Sequence, residues 1–131
     1  MILGIGIDSV EIKRFALWHT KDLRHLERIF SKQEIEYCLS NPALNAQRFA
    51  VRFAAREALY KVISTYWPEH SVPFLTLCRA TTVTKKRAPL MVIDWSMLQA
   101  YGITYIHNLK IHLSLTHTQQ TASAFIILEI L

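Results

Sequence analysis

The sequence predicts an α+β fold in which an antiparallel sheet packs against one long helix. Three observations carry that expectation. An apolar strand pattern at 2–10 opens the chain, the longest helical pattern fills 43–66, and strand patterns at 110–116 and 121–130 close it. Strands and helices come in blocks, which argues against a parallel, doubly wound sheet. At 131 residues the chain is expected to form one domain, 1–131, long enough for a real hydrophobic core.

Each element has its own cue. In the first strand Leu3, Ile5 and Ile7 alternate with Gly4 and Gly6 before Asp8, and such glycines mark a close backbone approach or a bend. A basic helical stretch follows, holding Lys13, Arg14, Lys21, Arg24 and Arg28 before Phe30. Ser31 and Glu34 have capping-box spacing for a helix that runs to about Leu39. Asn41-Pro42 breaks it, and Pro68 stops the long helix after 66. Segments 74–84 and 89–93 read as strands around the cationic turn Lys85-Lys86-Arg87. Asp94 is placed to cap a short helix ending before Gly102.

Apolar residues make up 51% of the chain, which argues against a disordered chain. Fifteen basic against ten acidic residues leave a net charge of +5, with a pI near 9.4. Nucleic acid, anionic lipid, an acidic protein and a phosphorylated small molecule all suit that charge. Cys38 and Cys78 have neither metal nor disulfide spacing and read as reduced thiols of a cytoplasmic protein. The opening residues carry no basic leader, which argues against a signal peptide, and no segment has the length of a membrane span.

Two carboxylates stand out. Asp8 ends an apolar strand, where a lone aspartate most often caps the next element. Glu57 shares a helix side with Ala50, Phe53, Ala54 and Lys61, so it is partly desolvated and needs a cation to stay charged. Its bland role is an i,i+4 pair with Lys61. The alanines permit close packing of another element, such as the Asp8 strand. Two acidic ligands from separate elements can hold one Mg²⁺, with substrate phosphates completing its shell. Lys61, one turn on, would then neutralise charge on a leaving phosphate. Arg48, Arg52 and Arg56 form an i,i+4 row, which is either a solvated face or the lining of an anion cleft. His117 sits at a strand-to-turn junction after Ser114, as a local hydrogen-bonding group or a phosphate donor. Walker, nucleophile-elbow and dinucleotide motifs are absent.

Taken together, these segments resemble the holo-[acyl-carrier-protein] synthases, the short 4′-phosphopantetheinyl transferases. Gly4-Ile5-Gly6-Ile7-Asp8, with Arg14 six residues past the aspartate, is similar to the family's opening. Arg52-Phe53-Ala54-Ala55-Arg56-Glu57-Ala58 through Lys61 resembles its central helix, and Ser114-Leu115-Thr116-His117-Thr118 its closing segment. Phe30-Ser31-Lys32-Gln33-Glu34 is similar to its phenylalanine-led helix start. The resemblance implies the 4′-phosphopantetheinyl transferase fold, Asp8 and Glu57 as magnesium ligands, and Lys61 as the catalytic lysine. It also implies Ser114 and His117 near coenzyme A, with Arg52 and Arg56 counted alongside them, and Arg14 as a contact for the acidic acyl carrier protein. A homotrimer with active sites between subunits, and a part in fatty acid biosynthesis, follow from it too. Nucleic acid and membrane are not expected partners.

This sequence departs from the family at several points. Arg56 stands where a lysine is usual, Ser64-Thr65-Tyr66-Trp67-Pro68 replaces a glycine-rich stretch, and Arg87-Ala88-Pro89 replaces a Gly-Lys-Pro turn. Two competing readings therefore stay open. A nucleic-acid-binding module suits the +5 charge but leaves the two acids without a purpose. A degenerate, non-catalytic trimer suits the lost glycines.

Overall fold

The computed structural model describes residues 1–85, 87–104 and 107–131. Strand β1 (Ile2–Glu11) pairs antiparallel with β5 (Thr121–Ile130), which pairs antiparallel with β4 (Leu109–His117), giving the order β1-β5-β4. A separate hairpin joins β2 (Thr81–Lys85) to β3 (Pro89–Ile93). The middle of its turn, Lys86, lies outside the described residues. Helix α3 (Asn45–Tyr66) packs across one face of the three-stranded sheet, against β1 and β5 above all. Helices α1 (Leu23–Glu27), α2 (Lys32–Leu39), α4 (Phe74–Ala80) and α5 (Ser96–Gln99) surround it.

Strand alternation explains this layer. Gly4, Gly6 and Val10 of β1, and Ala122, Ala124, Ile126 and Leu128 of β5, are buried against α3. The helix answers with buried Ala54, Ala55, Ala58, Leu59 and Val62. Small residues on both sides bring the backbones together: a Cβ on Gly6 would lie 2.1 Å from the Ala58 carbonyl oxygen. The opposite sheet face stays open, with Ile5, Ile7 and Phe125 exposed.

Two elements differ from expectation. The stretch 74–84 is not one strand, because Phe74–Ala80 is helical and pairing starts at Thr81. Pro73 fixes the helix entry, and Phe74 packs edge-on against Phe53 and Tyr60 while Leu77 and Cys78 are buried. The β-branched run Thr81-Thr82-Val83-Thr84 then goes extended. The basic stretch 13–28 breaks into 3₁₀ turns at Ile12–Phe15 and Trp18–Thr20, followed by α1. A cluster of Phe15, Trp18, Phe30, Phe49 and Phe53 draws the chain inward there. The Asp22 carboxylate caps α1 by accepting from the Arg24 amide at 2.7 Å.

The capping box at Ser31 and Glu34 forms as its spacing predicts. Glu34 also does something its spacing does not reveal. It is buried and takes both ends of the Arg56 guanidinium, at 2.9 Å and 2.6 Å. Arg56 donates further to the carbonyls of Thr81 at 2.7 Å and Cys78 at 3.3 Å. One wholly buried side chain thus joins α2, α3, α4 and β2. Burial pushes the neighbouring Cys38 and Cys78 thiols up to about 12, so both are inert, protonated thiols.

Candidate active site

The close approach at Gly6 decides where the acids stand. Two residues on, Asp8 projects to the same face of β1, toward the side of α3 that carries Glu57 and Lys61. Lys61 does not take Glu57 as its partner. Its ammonium donates to the Ile7 carbonyl at 2.8 Å and to Asp8 Oδ1 at 3.1 Å, tying helix to strand. Glu57 is half-buried, and burial first, then the Asp8 charge, raises its carboxyl above the usual range. Lys61 and Arg14 act in the opposite sense, so the charge of exposed Arg14 is felt at Glu57. The Arg14 guanidinium lies 5.8 Å from the ring centroid of Phe53.

This donor set suits a hard divalent cation. Glu57 is partly desolvated and feels the Asp8 charge, and one cation, the Lys61 ammonium, already pairs with Asp8. Among the described residues no group of three or more His, Cys, Asp or Glu side chains could hold a metal alone. A cation here would take its remaining ligands from substrate and water.

A second cleft, of about 260 Å³, opens on another side of α3. Tyr37, Gln47, Arg48, Arg52, Lys85, Pro89 and His117 line it. His117 points to this inner face, where Nδ1 is 3.2 Å from Gln47 Nε2. Ser114 does not join it: three residues apart on a strand, the two project to opposite faces, and Ser114 lies against Phe125 on the outer one. The row of arginines is not a solvated face. Arg56 is wholly buried on Glu34, and its expected place on coenzyme A gives way to a structural one, because its guanidinium is consumed inside the core. Arg52 is also buried, yet it borders the cleft. Tyr37 and Lys85 were not singled out from the sequence. Only the hairpin's return beside α2 brings them together, with Lys85 Nζ 3.2 Å from the Tyr37 hydroxyl.

Comparison with known proteins identifies the family. Residues 4–90 match the family model described as the 4′-phosphopantetheinyl transferase superfamily. A holo-[acyl-carrier-protein] synthase of Treponema denticola is 39% identical over 129 residues, covering 98% of this chain and 99% of that protein. One from Clostridium kluyveri is 37% identical over 135 residues, covering 99% and 92%. Among solved structures, the acyl carrier protein synthase of Mycobacterium tuberculosis superposes with a TM-score of 0.70 at 27% identity, covering all of both chains. The chain therefore belongs to the 4′-phosphopantetheinyl transferase superfamily, in its holo-[acyl-carrier-protein] synthase branch, and is an enzyme.

Proposed function

We propose that this protein transfers the 4′-phosphopantetheine group from coenzyme A to a serine of apo acyl carrier protein, with Mg²⁺, in support of fatty acid biosynthesis in the cytoplasm. The observation that supports it most is the meeting of Asp8, Glu57 and Lys61 between β1 and α3, in a chain matched end to end by holo-[acyl-carrier-protein] synthases. The serine oxygen would bond to the β-phosphorus of coenzyme A. The bond from that phosphorus to the bridging oxygen breaks, adenosine 3′,5′-bisphosphate leaves, and the serine proton is released.

Asp8 and Glu57 would hold Mg²⁺, which when bound neutralises pyrophosphate charge and draws its oxygens into line. The chain's own residues do the rest. Lys61 supplies a positive charge beside the leaving phosphate, and the β1–α3 contact fixes its position. Arg14, exposed and with its charge felt at Glu57, meets the acidic carrier protein as it presents its serine. No helix among the described residues is long and apolar enough to cross a membrane.

A homotrimer with shared sites completes the proposal. Arg48 and Glu57 are nine residues apart, so they lie ~13 Å apart along α3 and on opposite sides of it. One coenzyme molecule would reach the carboxylates of one copy and the basic cleft of another. The open sheet face, with Ile5 55%, Ile7 59% and Phe125 38% exposed, offers apolar area for that contact.

Mass spectrometry of apo carrier protein, incubated with coenzyme A, Mg²⁺ and the enzyme, should show a gain of one phosphopantetheine. No gain, where a known transferase succeeds, would sink the proposal. Mixing Glu57→Gln with His117→Ala copies should restore activity that each lacks alone if sites are shared between subunits.

A further inference from the structure

The open face of the sheet carries a titratable pair among its apolar residues. Along β5, Phe125, Ile127 and Glu129 project to this face, and across from them on β4 stand Ser114, His112 and Lys110. From its place opposite Ile127, His112 Nε2 reaches diagonally to Glu129 Oε2, at 2.7 Å. A carboxylate only accepts, so Nε2 carries the proton of that bond. Nδ1 has no hydrogen-bond partner among the described residues, and the ring can take a second proton there without losing the first bond. Both side chains are part-exposed, His112 at 43% and Glu129 at 31%. The bond from His112 holds the Glu129 carboxyl below its usual range, with help from the amino terminus and Lys110, so Glu129 is ionised wherever an imidazole titrates. These two are also the other charges that bear on the pair: Lys110 is exposed opposite Glu129, and the amino terminus donates to the Ile130 carbonyl at 2.8 Å.

We propose that His112 and Glu129 form a pH-sensitive latch on the assembly of this chain with two further copies, closed when His112 is protonated. The inference rests on the homotrimer reading above. The pair is continuous with the apolar patch that such a contact covers: Ile5 of β1 lies opposite Ile127, which lies opposite His112. Covering that patch takes Glu129 out of water. A carboxylate facing a neutral imidazole then brings a bare negative charge into an apolar contact, whereas one facing an imidazolium brings a neutral, charge-assisted pair. Association therefore takes up protons, at most one per copy from this pair, and its equilibrium constant carries that slope in pH. With active sites completed by a second subunit, the latch also sets how much of the enzyme is competent in dilute solution.

Sedimentation of the full chain over a dilution series, between about pH 5.5 and pH 7.5 where an imidazole titrates, is the test. The wild type should associate more tightly at the lower pH, by ~10-fold or more in its association constant and by at most ~1000-fold per pH unit, the limit for three protons. His112→Gln keeps an N–H for Glu129 but does not titrate, and should flatten the slope. Glu129→Gln leaves an imidazolium without its carboxylate and should reverse the slope, so that assembly favours the higher pH. A merely structural loss would weaken the trimer without changing that sign. Both positions lie on the surface of the single chain, and circular dichroism checks that each variant folds. Where the wild-type trimer is too tight to dilute, a Phe125→Ser background loosens it and the same slopes are read there. A wild-type association indifferent to pH, a His112→Gln variant that keeps the slope, or a Glu129→Gln variant whose slope keeps its sign would overturn the inference and leave the homotrimer standing. A chain that stays monomeric at every pH and concentration would instead remove the homotrimer reading, and the inference with it.

Discussion

Adding a single methyl group to Gly6 tests the physical basis of the site. A Cβ there would stand 2.1 Å from the Ala58 carbonyl oxygen and 2.7 Å from Val62 Cγ2. The nearer contact is backbone, which cannot swing aside, so β1 and α3 must part by about 1 Å. Overpacking of this kind costs ~1–3 kcal/mol, or a fall in Tm of about 4–12 °C for a chain of this size. The same movement separates Asp8 from Glu57 and Lys61, and a displacement of about 1 Å at reacting groups costs on the order of 100-fold in rate. Gly4→Ala is the internal control, since its Cβ meets Val62 Cγ1, a side chain, at 3.2 Å. Differential scanning fluorimetry and the transfer assay read both variants. A Gly6→Ala enzyme as stable and as active as wild type, or a Gly4→Ala enzyme hit equally hard, would refute the claim that backbone contact sets the spacing of the site.

Other outcomes follow from the same structure. Arg56→Met leaves buried Glu34 with only the 3.7 Å contact to Arg52 and should cost ~3–5 kcal/mol, while the double variant Glu34→Gln/Arg56→Met recovers much of it in a thermal double-mutant cycle. Because the Glu57 carboxyl is raised in the folded protein, its contribution favours the fold at low pH. That contribution is lost as pH rises from the unfolded value through the folded one. Glu57→Gln should therefore raise the Tm of metal-free protein at neutral pH while abolishing stabilisation by added Mn²⁺, read by calorimetry. Arg14→Ala should raise the carrier-protein KM several-fold and flatten its dependence on ionic strength; a wild-type KM indifferent to salt would contradict electrostatic docking.

How much of this protein was legible beforehand depends on the range of the interaction. Alternation in 2–10 and the 3.6-residue pattern in 43–66 determined β1 and α3, because each is a local periodicity facing one core. The Ser31–Glu34 cap was equally local. The segment 74–84 misled because a short apolar run suits strand or helix alike, and packing of Phe74 on Phe53 and Tyr60 made the choice. Asp8 and Glu57 could be nominated as a pair from residue type and the alanine-lined helix face, but the pairing of Lys61 with Asp8 could not. Lys61 had a partner four residues away in sequence, yet it crosses to Asp8, since the glycines of β1 let the strand come closer than the helix turn. Arg52 and Arg56 had the spacing and charge of a solvated row, and the chain alone gave no sign that Glu34 would draw both inside. Periodicity thus determined the elements and the inventory of charged groups. Tertiary packing decided which charges meet, because ion pairing falls off within a few ångströms and depends on contacts made across long stretches of sequence.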